Sequence, residues 1–555
     1  MNTVSTQFVE MRQKPVRGSF GESLCRRDGS ALVTVMLFTS IAALAVGSIL
    51  LWTTSHNRNV VRENEFVRAQ NIAEAAVEKA YVAIRARLNL NNQAPSQSDC
   101  NGYCTSQLPT TTDDASFGDY TFVDTSGVSN RMTIVYGGAA TTAQVLFGLY
   151  AGLYSSTQTY LITARAYSWN RITQLTAGIE REVDILNIPI FQFAIFYDPD
   201  LEMEPSPPMT ITGRVHCNHN IYIAPLSTLE YQSQVTAALN IFNYPMTNDT
   251  HQSNWLAPTY DSTLTTGAPT LTLPFITTAT GLTARAIIEM PPSGTDPLVS
   301  STATNRLYTS AGLRIIVSNT VISVTDQSGA VVSMPSNIIT TNTTLFNARE
   351  NITNSLVNID IGLLMSSNKV PVNGIVYVAN LRTNKFQQAV RITNGHNVPT
   401  AGLSVVTPNP LYVQGNYNSD NDYPCALFAD AINILSSSWS DANSAKAISS
   451  RVASSTTVNA AFYSGIVPTV TGKYSGGVEN FPRFLEDWSN KTLTYCGSMV
   501  VMFNSQIATG AWPNASYNPP TRAWSFDTQF LSPSTVPPGC PSIIVLTRMT
   551  WAAVQ

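Results

Sequence analysis

The spacing of hydrophobic positions changes along the chain, and each change marks a different kind of structure. Residues 31–52 read ALVTVMLFTSIAALAVGSILLW, an apolar run without a charge. As a helix this run spans about 33 Å at ~1.5 Å per residue, enough for a bilayer core bounded by Ala31 and Trp52. No other stretch of the chain is comparable. Beyond it, Ala73, Ala76, Val77, Ala80, Tyr81, Ile84 and Leu88 keep helical spacing, while Glu63, Arg68, Glu74, Glu78, Lys79, Arg85 and Arg87 supply a polar side. The pattern predicts one helix from about Ala31 to Leu88, loosened at Thr53–Asn59. From Asn91 onward, short Val/Ile/Tyr/Thr runs alternate with turn residues, which predicts strands.

The strands fall into three stretches. DYTFVDT, RMTIVYGG, TYLITARAYS and REVDILNI predict a small β-rich module over 91–190. Region 191–370 opens on a strand, an acidic turn, a Pro break and two short strands, then from 226 becomes irregular and rich in Asn, Thr and Pro. It predicts a β-rich region with insertions or a second sheet. Over 371–555, NGIVYVANL, AVRITNG, CALFADAINILS, NAAFYSGIV and YCGSMVVMFNS predict rungs of a parallel β-solenoid, each burying its inward side chains against the next. A β-sandwich makes the same short strands and stays open as an alternative. In FPRFLEDWS, Phe481, Phe484, Leu485 and Trp488 share one helical face and predict a short helix covering the β core. The fold class expected is mainly β with one long N-terminal α-helix: a β-rich module followed by a β-helix-like body.

Charge then orients the first element. Arg12, Lys14, Arg17, Arg26 and Arg27 precede the apolar run, against Glu10, Glu22 and Asp28. Basic residues before a single span place the N-terminus in the cytoplasm and the body across the membrane, with Trp52 at the far interface. A removable secretory signal has an apolar core of about 7–15 residues, and this run is longer and leads directly into helix.

RRDG followed by SALVTVMLFTSIAALAVGSILLW resembles the start of bacterial type IV pilins and pseudopilins. SALV and AQNIAEAAVEKA are most similar to PilX-type minor pilins. GRVHCNHNIYIA, SVVTPNPLYVQGNYN and SGGVENFPRFLEDW resemble segments of large exported proteins with such N-termini. The pilin resemblance covers residues 26–90. It implies a cytoplasmic leader 1–29, removed by prepilin peptidase between Gly29 and Ser30. It also implies a helix 30–90 that is held in the inner membrane and packs with other pilin or pseudopilin subunits. The body would lie in the periplasm or on a surface filament. Most pilins carry Glu at the fifth mature position, where it pairs with a neighbour's terminal amine; here that position is Thr34. The missing acid and the large body favour a tip, initiating or accessory place over the filament shaft. The implied role is structural and non-catalytic, in assembly or surface adhesion.

Composition narrows the chemistry. Only 12% of the 555 residues are charged, about half of the ~25% usual in soluble domains. The 44% hydrophobic content excludes a disordered chain, and a net charge of -4 offers no footprint for nucleic acid. Six cysteines follow the leader's Cys25: Cys100, Cys104, Cys217, Cys425, Cys496 and Cys540. In an oxidising compartment they permit three disulfides, and Cys100–Cys104, bracketing NGY, is the favoured local pair. The alternative is six small buried hydrophobes.

Asp198, Asp200, Glu202 and Glu204 in YDPDLEMEP share one face if extended. Four such carboxylates repel unless a cation joins them, and Ca²⁺ would suit their hard oxygens. A solvated acidic turn is the plainer reading, and otherwise no cofactor is expected. His216, Cys217 and His219 would lie on opposite sides of a strand, which argues against a metal site. The rival function is a membrane-anchored β-solenoid that binds or cleaves polysaccharide. Its candidate acids are Asp198, Asp200, Asp430, Glu479, Glu486 and Asp487. Tyr412, Tyr417, Trp439, Tyr474, Trp488 and Trp524 are its aromatic candidates for stacking sugars.

Overall fold

The computed structural model describes residues 30–554, apart from 92, 147, 149, 170–173, 250–253, 277–280, 293–304 and 513–515. Gly29 and the rest of the leader lie outside the described residues; Ser30 opens the first helix. The chain divides into two units, Met1–Arg68 and Ala69–Gln555. The fold is mostly β with one long N-terminal helix, α1 (Ser30–Asn91).

In the first unit α1 holds the whole apolar run, with Leu32, Phe38, Leu44, Leu51 and Trp52 exposed. Among the described residues it is the one helix long and apolar enough to cross a membrane. The expected loosening at Thr53–Asn59 does not occur. Thr53 Oγ1 donates to Ile49 O at 2.7 Å, and Thr54 Oγ1 donates to Leu50 O. These bonds satisfy both hydroxyls without leaving helical geometry.

In the second unit the last turns of α1 bury Ala73, Ala76, Val77, Ala80 and Ile84. Small residues at this spacing let a helix approach a sheet closely. That sheet is antiparallel, in the order Tyr120–Val123, Tyr154–Ser168, Thr176–Pro189, Ser542–Val554. Two short strands, Thr133–Tyr136 and Thr141–Gln144, also pair with Tyr154–Ser168. Ion pairs tie helix to sheet: Arg181 reaches Glu74 at 3.5 Å and Glu78 at 3.4 Å, and Arg548 reaches Glu78 at 2.6 Å. The 13-residue strand Ser542–Val554 thus pairs with the N-terminal module, far from it in sequence.

The rest of the second unit is built from parallel ladders. Leu201–Met203, Ile221–Ile223 and Ile241–Phe242 form one. Met209–Ile211, Leu229–Tyr231 and Thr259–Tyr260 form another. A third joins Ile195–Tyr197, Val215–Cys217, Val235–Ala237 and Leu264–Thr266. Leu201 faces Ile221, which faces Ile241, a step of 20 residues per coil. Like side chains therefore stack along the axis, as in Tyr222 on Phe242 and Tyr231 on Tyr260, with ring centroids 5.1 and 5.2 Å apart. A second block of parallel pairs runs from Leu313–Val317 through Ile375–Asn380, Leu403–Val406, Cys425–Ala429 and Ala461–Ile466 to Met499–Asn504. The two blocks join where Met499 pairs with Ile195, making one continuous ladder.

The segment FPRFLEDWS is not a helix. A short 3-10 turn, Val478–Asn480, precedes an extended pair, Arg483–Phe484, which lies parallel to Ile432–Leu435. Phe481, Phe484, Leu485 and Trp488 are all buried, as their apolar spacing implied. A corner of a coil surrounded by core buries them equally well, and the ladder partner decides the backbone.

Candidate functional site

The expected local disulfide is absent. Cys100 and Cys104 lie one turn apart on α2 (Gln97–Ser106), both buried and both free. Helical i,i+4 positions hold Cβ atoms about 5–6 Å apart, whereas a disulfide needs about 3.8 Å. No disulfide forms among the described cysteines.

The acidic run does not share one face. Asp198 and Asp200 sit in the turn before Leu201–Met203. There Asp198 Oδ1 accepts from Asn218 Nδ2 at 2.7 Å, and Asp200 Oδ1 accepts from the Asn220 N–H at 2.9 Å. Asparagines one coil later thus hold one oxygen of each carboxylate. Glu202 and Glu204 are buried instead, at 4% and 8% exposure. His216 is buried between Phe193 and Phe196; its ring nitrogens meet Thr236 Oγ1 at 2.8 Å and Asn218 Oδ1 at 3.1 Å. Burial pushes its pKa down to about 4, so it is a neutral core residue.

Of the other candidate acids, three have structural duties. Asp430, wholly buried, pairs with Arg285 at 2.9 Å. Glu486 accepts from the Ser436 N–H at 2.6 Å and hydroxyl at 2.7 Å. Asp487 accepts from Asn518 Nδ2 at 2.9 Å. Among the aromatic candidates, Tyr412, Tyr417, Trp439 and Trp488 are buried in the core.

Glu479 is different. It joins Glu204 at the wall of a cleft of about 140 Å³, lined by Glu204, Glu479, Asn480, Trp512, Tyr517 and Arg522 among others, with Glu202 buried close by. Glu479 Oε2 accepts from the Glu204 N–H at 3.3 Å, bridging 275 positions of chain. Glu202 Oε2 accepts from Thr469 Oγ1 at 2.5 Å. Asp249 shares a side-chain hydrogen bond with Glu204. Burial, then the neighbouring carboxylates, push Glu204 up to about 9. Burial is also the main cause of the rise of Glu202 and Glu479 to about 7. Arg522 Nη2 donates to the Glu479 carbonyl at 3.0 Å and eases the charge.

Two glycines make this corner feasible. Gly476 and Gly477 have φ of 84° and 74°. A Cβ at 476 would lie 2.8 Å from Trp512 Cγ, and one at 477 would lie 2.6 Å from a Glu479 oxygen. Their absent side chains let the loop curl so that Glu479 folds back beside Glu204. Trp512, Tyr517 and Arg522 were not singled out for chemistry by sequence pattern; their only signal is the aromatic and basic content of an otherwise polar stretch.

One further cluster brings ligand-type atoms together. Asp422, Cys496 and Asp527 each place one such atom within 4.8 Å of the others. Asp527 also caps a short 3-10 turn by accepting from the Gln529 N–H at 2.9 Å. Burial raises Cys496 to about 11, so the thiol keeps its proton and hydrogen-bonds to Asp422. It reads as a thiol–carboxylate contact closing a turn.

Compared with known proteins, the chain matches no family model and no curated protein. Among solved structures it is similar to the competence-associated pilin ComZ from Thermus thermophilus. The identity is 11% and the TM-score 0.28, over 86% of this chain and 97% of that one.

Proposed function

We propose that the chain is a membrane-anchored, pilin-like structural subunit, of the PilX-type minor pilin or pseudopilin kind. It would serve a type IV pilus or type II secretion-like filament, in assembly or surface adhesion. The observation that carries this reading is α1. Its apolar stretch Ala31–Trp52 is exposed in the isolated chain, while the continuation of the same helix is buried in the second unit. Exposed Leu32, Phe38, Leu44 and Leu51 need an apolar cover. Lipid supplies it before assembly and the helices of neighbouring subunits supply it afterwards. In this reading prepilin peptidase cuts after Gly29, the N-terminus faces the cytoplasm, and the body faces the periplasm or the surface. Thr34, in place of an acid, removes one contact to a neighbour and favours a tip or initiating position.

The test is Gly29→Ala in the native host. The variant should keep its 29-residue leader, stay in the inner membrane and disappear from the sheared surface fraction. Unchanged processing and unchanged distribution on immunoblots would overturn the pilin-like reading.

A further inference from the structure

The cleft at Glu204 and Glu479 has polar groups left over. Asn480 is 6% exposed, and its Oδ1 has no hydrogen-bond partner, while its Nδ2 donates to Gly476 O. Beside it, Arg522 Nε and Nη1 are buried donors without an acceptor. Glu202 Oε1 is a buried acceptor without a donor. Buried polar groups left unpaired are costly, and three such atoms on two residues that line one cleft, Asn480 and Arg522, point to a ligand that both donates and accepts.

We propose that this cleft binds a neutral saccharide unit. Sugar hydroxyls carry a donor and acceptors on one atom, which suits Asn480 Oδ1 and the Arg522 N–H groups together. Trp512 and Tyr517 line the same cleft and supply the ring surface on which a pyranose C–H face rests. A cation would find no described trio of these carboxylates within 4.8 Å. At about 140 Å³ the cleft is smaller than the ~300–1,000 Å³ of pockets for drug-sized ligands. It therefore takes one terminal or branch unit rather than a stretch of chain. The site belongs to the second unit and does not depend on filament assembly.

The experiment uses the full chain in detergent on an array of neutral, amino and acidic glycans. Binding constants for the neutral hits follow by titration calorimetry. Saturable binding to at least one neutral glycan is expected. Trp512→Ala should weaken it at least tenfold. Ser206→Trp, at an exposed position of the rim, should block it with an unchanged melting temperature. No neutral glycan bound, binding confined to acidic or amino glycans, or binding untouched by Ser206→Trp would each overturn the proposal. Processing at Gly29 is unaffected by any of these results, so the two readings fail separately.

Discussion

Asp430 is wholly buried in the bend between two strands, and its carboxylate accepts four hydrogen bonds. Arg285 Nη2 and the N–H of Gln506 meet Oδ1 at 2.9 and 2.8 Å. The N–H groups of Ile507 and Ala508 meet Oδ2 at 3.0 and 2.8 Å. The sequence shows a carboxylate inside the apolar run LFADAINIL, which must be paired to be tolerated. The partners, up to 145 positions away, are invisible there. Asp430→Asn removes the buried one of Arg285's two counter-charges, Glu289 remaining at 2.6 Å, and removing one partner of a buried pair costs about 3–5 kcal/mol. A shift of that size in urea-unfolding free energy is expected. A change under about 1 kcal/mol would show that the pair does not hold the corner formed by residues 506–508.

At the scale of elements, the turns between coils carry the sharpest constraint. Gly402, with φ of 86°, precedes Leu403–Val406, and a Cβ there would lie 1.9 Å from Pro424 O on the next coil. Gly402→Ala must displace the neighbouring turn. A loss of about 2–3 kcal/mol is expected from strain and overpacking, read as a lower thermal midpoint; an unchanged midpoint would contradict the spacing of the coils. Regularity of this kind was partly legible. Pro205, Pro225 and Pro245 recur every 20 residues, in step with the ladder Leu201, Ile221, Ile241. The repeat is hard to see in the pattern of single residues, and the stretch from 226 reads as irregular, because the strands are only two or three residues long. Over so few positions alternation is too brief to stand out, and the signal lies in the repeat. The FPRFLEDWS segment fails for the opposite reason: a clean helical period there arises from a bent coil corner with core on several sides.

At the scale of the whole molecule, the acids of the cleft link pH to stability. Glu202, Glu204 and Glu479 are held above the ordinary carboxylate range mainly by burial, with Asp249, Asp200 and one another adding repulsion, and Thr469 and Arg522 opposing it. Raised folded pKa values mean that the folded state binds more protons than the unfolded chain. Their stability is therefore fully present below about pH 4.5 and is lost as pH rises through about 7 for Glu202 and Glu479 and about 9 for Glu204. The melting temperature should fall as pH rises from 5 to 9. Glu204→Gln, which cannot ionise, should flatten that slope; a profile identical to that of the parent chain would show that these groups titrate normally.

The sequence by itself determined what depends on near neighbours. The apolar run Ala31–Trp52, its helical continuation and the strand-rich character of the rest follow from side-chain periodicity over a few turns or residues, and the structure keeps all three. The tertiary structure alone decided which distant segments meet. Pairing of Met499 with Ile195 joins two blocks of coils, and Ser542–Val554 returns to the sheet beside α1. Glu204 comes to face Glu479 across the same join. Strand edges offer the same backbone groups at every position, so their partners are chosen by the packing of the whole core. That choice bonded Asp198 and Asp200 to asparagines of the next coil and set Glu204 in one cleft with Glu479, Arg522 and Trp512.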